Sequence, residues 1–120
     1  MDDEVPVLET LRLILIRLGY QVTAVKEGSE AVAACQQALA DGQRIPAVIL
    51  DITIRGGLGG RETMERLLAL DPKVKGIVSS GYSNDPVMAN CLEYGFRATV
   101  GKPYSVDQLG TVLRRVLDTP

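Results

Sequence analysis

Six residues carry side chains whose types and spacing could do chemistry. Asp2 and Asp3 stand directly behind the first methionine in "MDDEVPVLETLRLI", Asp51 ends the apolar run "AVILD", Ser79 and Ser80 end "GIVSS", and Lys102 follows "ATV" ahead of Pro103. Carboxylates at contact distance repel unless a cation lies between them. Two or three carboxylates with a main-chain carbonyl suit Mg²⁺, a hard ion that takes oxygen ligands and keeps several waters. A carboxylate beside such an ion can attack phosphorus, and a lysine and a hydroxyl across from it can neutralise and hydrogen-bond phosphoryl oxygens. Each residue alone also has an ordinary explanation. An Asp after a strand is commonly a turn former, Ser-Ser-Gly makes a turn, Lys-Pro is a solvated loop, and first residues fray. What favours the chemical reading is that all of them fall at corresponding ends of one repeating pattern.

That pattern alternates helices and strands. Residues 5–18 place Val7, Leu8, Leu11, Ile14, Leu15 and Leu18 at helical spacing, stopped by Gly19. "YQVTAV" alternates and is β-branched, which predicts a strand, and Ser29 is placed to cap a helix through "EAVAACQQALA". "AVILD" is continuously apolar, as in a strand buried on both faces of a parallel sheet. A "GGLGG" loop, a helix in "RETMERLLAL", a strand in "VKGIVSS" and a helix in "DPVMANCLEYG" follow, then a strand in "RATV" and a Ser105-capped helix in "SVDQLGTVLRRVL". Such alternation predicts an α/β domain with a parallel sheet and right-handed crossovers. Chemistry in these sheets collects at the carboxyl ends of the strands. The first helix alone has no strand ahead of it.

Composition narrows the function classes. The 120 residues fit one domain, and 46% hydrophobic residues can build a core. Thirteen basic against fifteen acidic residues, a net charge of −2, argue against direct nucleic-acid binding or membrane-surface binding. No apolar run is long enough to span a bilayer. Cys35 and Cys91 lie in helix-like segments and read as free thiols, so the expected compartment is the cytoplasm. Without histidine, this chain can supply neither His-ligated metal sites nor phosphohistidine of its own.

The ordered set "DDE" at 2–4, "VILDITIRGGLGG" at 48–60, "VSSGYS" at 78–83 and "KPY" at 102–104 resembles the receiver domain of two-component response regulators, over essentially the whole chain. The wording of "GGLGG" and "SSGYSNDPVMAN" is most similar to receivers of hybrid sensor histidine kinases. The resemblance implies a flavodoxin-like fold and a phosphoacceptor module, not an enzyme, that takes a phosphoryl group from a histidine kinase or phosphotransfer protein. It makes Asp51 the phosphoacceptor. It assigns Mg²⁺ to Asp2, Asp3, Asp51 and the backbone carbonyl of Thr53, and phosphate contact and switching to Ser80 and Lys102. Alternatives are an idle receiver-like interaction module and a phosphatase of the haloacid-dehalogenase type. The latter family has a second Asp two residues after its nucleophile, where this chain has Thr53. "GGLGG" lacks the GK[ST] of a nucleotide loop.

The chain departs from the family in three places. Arg55 stands where proline is common. Thr99 replaces the aromatic three residues before the lysine, which leaves Tyr104 as a candidate switch-surface residue. Of the apolar strand that normally ends in the acidic pair, only Met1 is present, so residues 1–120 read as an N-terminally truncated receiver with four strands. Losing that strand would open a gap of ~10 Å between its neighbours. The expected remedies are pairing of "YQVTAV" with "AVILD" or self-association through the exposed edge. Mg²⁺ should then bind poorly, because a free terminus loses about 1–2 kcal/mol of chain entropy per residue ordered and the acids would not be anchored beside Asp51.

Overall fold

The computed structural model describes residues 1–53, 58–81 and 85–120. Arg55, "GGLGG" up to Gly57, residues 82 and 83 of "VSSGYS", and Asn84 therefore lie outside the described residues.

Three parallel strands form the sheet among the described residues, in the order β1 (Ala47–Asp51), β2 (Lys75–Ser80), β3 (Phe96–Gly101). The register sets Asp51 beside Ser79, Ser79 beside Val100 and Ser80 beside Gly101, so the three carboxyl ends are level. Successive residues of a strand point to opposite faces. Ile49 and Ile77 accordingly join one core cluster, while Leu50 and Val78 join the other. An extra residue in β3, between the partners of Gly76 and Ile77, puts Phe96 on the opposite face from Ala98 and Val100.

Helices cover both faces. On one, α1 (Val5–Arg17) contributes Leu11, and α5 (Val106–Asp118) contributes Leu109, Val112, Leu113 and Val116. On the other, α2 (Gly28–Ala40) contributes Ala31 and Cys35, and α3 (Gly60–Leu70) contributes Met64 and Leu67. Ser105 caps α5 as the sequence predicts, its hydroxyl accepting from the Gln108 N–H at 3.3 Å. Ser29 does not cap α2. That helix starts two residues earlier, at Gly28 behind Glu27, and the Ser29 hydroxyl donates to the Glu27 carboxylate instead. Gly28 fits this start because any Cβ there would lie 2.0 Å from Thr63 Oγ1 and 2.6 Å from the Leu58 carbonyl oxygen. The helix expected over "DPVMANCLEYG" is broken. After α4 (Pro86–Ala89), Asn90 leaves helical dihedrals, and Cys91–Tyr94 continues as a 3₁₀ turn ended by Gly95 at φ +89°.

The principal correction concerns the strand count. Residues 20–25 are not a strand, and the expected fourth strand is absent from the described residues. They do not close onto β1. A cavity of about 910 Å³ separates them, lined by residues from both segments. An extended segment becomes a strand only when its backbone has a partner to pair with, and across this gap the pairing reaches only the end of the segment. There, Met1 and Asp2 bridge the two sides. The Met1 ammonium donates to the Ile49 carbonyl at 2.9 Å, the Asp51 N–H donates to the Met1 carbonyl at 3.1 Å, and the Asp2 N–H donates to the Val25 carbonyl at 3.1 Å. No helix among the described residues is long and apolar enough to cross a membrane.

Candidate functional site

Those three bonds overturn the expectation that the acidic pair would be adrift. Met1 is buried in the core cluster that holds Leu50, Met64 and Cys35, and its backbone bonds to β1, so Asp2 is carried to the end of Asp51's strand. Asp2, Asp3 and Asp51 each offer a carboxylate oxygen, and these atoms lie within 4.8 Å of one another. Asp2 and Asp51 are buried, while Asp3 is half-buried.

Each buried carboxylate is held at one oxygen and turned toward Lys102 with the other. Asp2 Oδ1 accepts from the Glu4 N–H at 3.0 Å. Asp51 Oδ1 accepts from the Thr53 N–H at 3.1 Å and from the Thr53 hydroxyl at 3.0 Å. Lys102 Nζ lies 2.8 Å from Asp2 Oδ2 and 3.2 Å from Asp51 Oδ2. It is positioned by β3 and by its own N–H, which donates to the Ser80 carbonyl at 3.1 Å. Burial by itself would lower the lysine's pKa, but pairing with Asp2 and Asp51 outweighs it and holds the ammonium above its ordinary value. Burial lowers the pKa of the Met1 ammonium, against the opposing pull of Asp2 and Asp51.

Lys102 reaches Asp2 Oδ2 as an ion pair at 2.8 Å, and that buried oxygen has no other polar partner among the described residues. A buried acceptor in this condition, beside two further carboxylates, is suited to a hard divalent cation.

The remaining predicted residues divide. Ser80 is buried at the end of β2. Thr53 is exposed, and its described part in the site is to fix Asp51. Thr99 is half-buried on β3. Tyr104 is not a solvated aromatic. Its hydroxyl and the Ser79 hydroxyl form a 2.6 Å hydrogen bond. Burial raises the tyrosine's pKa, with the Ser79 bond and Lys102 pulling the other way. Ser79 was the residue whose part was missed. Strand alternation sends it and Ser80 to opposite faces, and that pattern was the available signal for a partner on the α5 side.

Comparison with known proteins agrees with this geometry. The sequence pattern of the response regulator receiver domain matches residues 1–114. The chain is 26% identical over 115 residues to the C4-dicarboxylate transport transcriptional regulatory protein DctD of Rhizobium meliloti, covering 96% of this chain and 24% of that protein. It is 29% identical over 117 residues to the transcriptional regulatory protein YkoG of Bacillus subtilis, covering 98% and 49%. It is 22% identical over 117 residues to sporulation initiation phosphotransferase F of the same organism, covering 98% and 90%. The chain thus spans a quarter to a half of the first two relatives. Among solved structures, the receiver domain of NtrX from Brucella abortus superposes with a TM-score of 0.86 at 25% identity, covering 99% of this chain and 96% of that one. The receiver domain of the Pseudomonas aeruginosa sensor histidine kinase PA1611, which carries a coordinated magnesium ion in its active-site cleft, superposes at 0.85 with 24% identity, covering 99% and 94%. A three-stranded parallel sheet among the described residues, helices on both its faces and a level row of strand ends that brings Asp51, Ser80 and Lys102 together accord with that fold, and the chain belongs to the response regulator receiver domain family.

Proposed function

We propose that this chain is a phosphoacceptor module of a two-component phosphorelay, receiving a phosphoryl group on Asp51 from a phosphohistidine of a sensor kinase or phosphotransfer protein. The observation that supports it best is the posture of Asp51. One oxygen is fixed by two bonds from Thr53, and the other faces Lys102 beside Asp2 and Asp3. Membership of the receiver family supports the role of a signalling module over that of an enzyme with a released product.

In the proposed transfer, an Asp51 oxygen forms a bond to phosphorus as the bond from phosphorus to the donor's imidazole nitrogen breaks, and the imidazole leaves with that electron pair. Asp2, Asp3, Asp51 and the Thr53 carbonyl would hold Mg²⁺. Bound there, the ion supplies positive charge to the phosphoryl oxygens. Lys102 would exchange its contact with Asp51 for one with a phosphoryl oxygen, staying in the site through Asp2. Ser80 would hydrogen-bond a second oxygen, and the Ser79–Tyr104 pair would carry the change to α5. The PA1611 receiver's magnesium and the phosphotransferase role named for the Bacillus relative support the reading.

The test is phosphorylation by phosphoramidate with Mg²⁺, followed by mass spectrometry of the intact chain. One base-labile phosphoryl group is expected, lost in Asp51→Asn. Undiminished labelling of that variant would refute the assignment.

A further inference from the structure

Two hydroxyls meet at a place where apolar side chains would pack as well. Ser79 is fully buried, and Tyr104 packs against the cluster of Leu11, Ile49, Ile77 and Leu109, yet their hydroxyls are bonded to each other at 2.6 Å. Burying two polar groups gains little over an apolar pair of the same shape, because each gives up its water. Fold stability alone therefore does not call for the pair. Its position relative to the acidic site does. The register sets Ser79 beside Asp51, strand alternation puts both on the sheet face of Ile49 and Ile77, and the Ile52 N–H donates to Ser79 O at 3.0 Å. Tyr104 stands two residues past Lys102. The turn that carries the lysine is thus tied to the end of β2 twice. Lys102 donates its N–H to Ser80 O at 3.1 Å, and the Tyr104 hydroxyl bonds to Ser79. From that turn the lysine ammonium reaches to 2.8 Å from Asp2 and 3.2 Å from Asp51.

Resting on the reading of Asp51 as phosphoacceptor, we propose that Tyr104 is a positioning residue for phosphoryl transfer. Bonded to Ser79, its hydroxyl fixes the Lys102 turn against the strand that adjoins Asp51, and so holds the ammonium where a phosphoryl group arriving on Asp51 meets it. Tyr104 itself makes no bond to that group and acts through Lys102. Without the hydroxyl pair, the turn keeps only the backbone tie at Lys102. A charge that stabilises the transition state loses much of its effect when it is misplaced, and ~1 Å of displacement can slow a reaction by up to ~100-fold.

The test follows labelling of the chain by phosphoramidate with Mg²⁺, at a temperature where every variant is folded, alongside the melting temperature of each. Tyr104→Phe and Ser79→Ala should each slow labelling ~10-fold. The double variant Ser79→Ala/Tyr104→Phe leaves neither hydroxyl unpaired, so it should regain most of the melting temperature lost in Tyr104→Phe and still label ~10-fold more slowly than the wild type. Mg²⁺ titrated by calorimetry should bind the variants within about twofold of the wild type, because the hydroxyl pair holds none of the three acids. A labelling rate that recovers together with the melting temperature would mean that the pair only packs, and would overturn the proposal while leaving Asp51 as acceptor. Single variants that label as fast as the wild type would do the same. A loss of Mg²⁺ affinity as large as the loss of rate would mean a general loosening of the site and would overturn it equally. A wild type that takes up no phosphoryl group would refute the acceptor reading and this inference with it.

Discussion

Removing the Lys102 charge tests how the acidic cluster is tolerated. In Lys102→Met the side-chain stem keeps its packing, but Asp2, which is fully buried, and Asp51, at 1% exposure, lose the cation 2.8 and 3.2 Å away. Breaking one partner out of a buried ion pair costs about 3–5 kcal/mol. The lysine side chain is 17% exposed and the Met1 ammonium remains nearby, so the low end, about 3 kcal/mol, is expected. For a domain of this size that corresponds to a fall of ~10 °C in melting temperature. Pairing raises the lysine's pKa above 10.5. Its contribution is therefore fully present below pH 10.5 and lost as pH rises through the folded value. Urea unfolding of the wild type, Lys102→Met, Asp2→Asn and the double variant closes a cycle, and the Asp2–Lys102 coupling should be about 1.5 kcal/mol or more. Millimolar Mg²⁺ should restore part of the single variant's loss. A shift in melting temperature below ~3 °C with coupling under about 0.5 kcal/mol would refute the argument.

Other outcomes follow from individual contacts. Tyr104→Phe removes the 2.6 Å bond to Ser79 and leaves a buried hydroxyl unpaired, so unfolding in urea should show a loss of about 1–2 kcal/mol. Gly60→Ala places a Cβ 2.7 Å from the Asp51 carbonyl oxygen and should cost at least ~2 kcal/mol, whereas Gly81→Ala, with nothing among the described residues within 4 Å, should melt within a degree or two of the wild type. Arg44 donates to Asp71 at 2.8 Å and holds that carboxylate below its usual 3.8. Because Arg44 is 40% exposed, the wild type should lead Arg44→Ala by at most ~1 kcal/mol. That lead is present above pH 3.8 and lost as pH falls through the lowered value.

The strand ends were legible because parallel-sheet burial leaves a strong mark. "AVILD" and "GIVSS" are apolar until their last residues, and that break alone placed Asp51 and Ser80 on one edge with Lys102. The residues misjudged are those whose state depends on a neighbour. "YQVTAV" has the composition of a strand, but composition supplies no hydrogen-bond partner, and the cavity beside it leaves only Val25 with a backbone bond to the acidic pair. Met1 presents the opposite case. Its side chain reads as a frayed terminus, yet its ammonium and carbonyl fit one ladder step of β1 and thereby place Asp2 against Lys102. An entropy loss of about 1–2 kcal/mol per residue for ordering Met1 and Asp2 is opposed by burial of the methionine side chain, worth about 1.5–3 kcal/mol, and by three backbone hydrogen bonds of about 1 kcal/mol each. The terms favour order, which is why the acids stay beside Asp51.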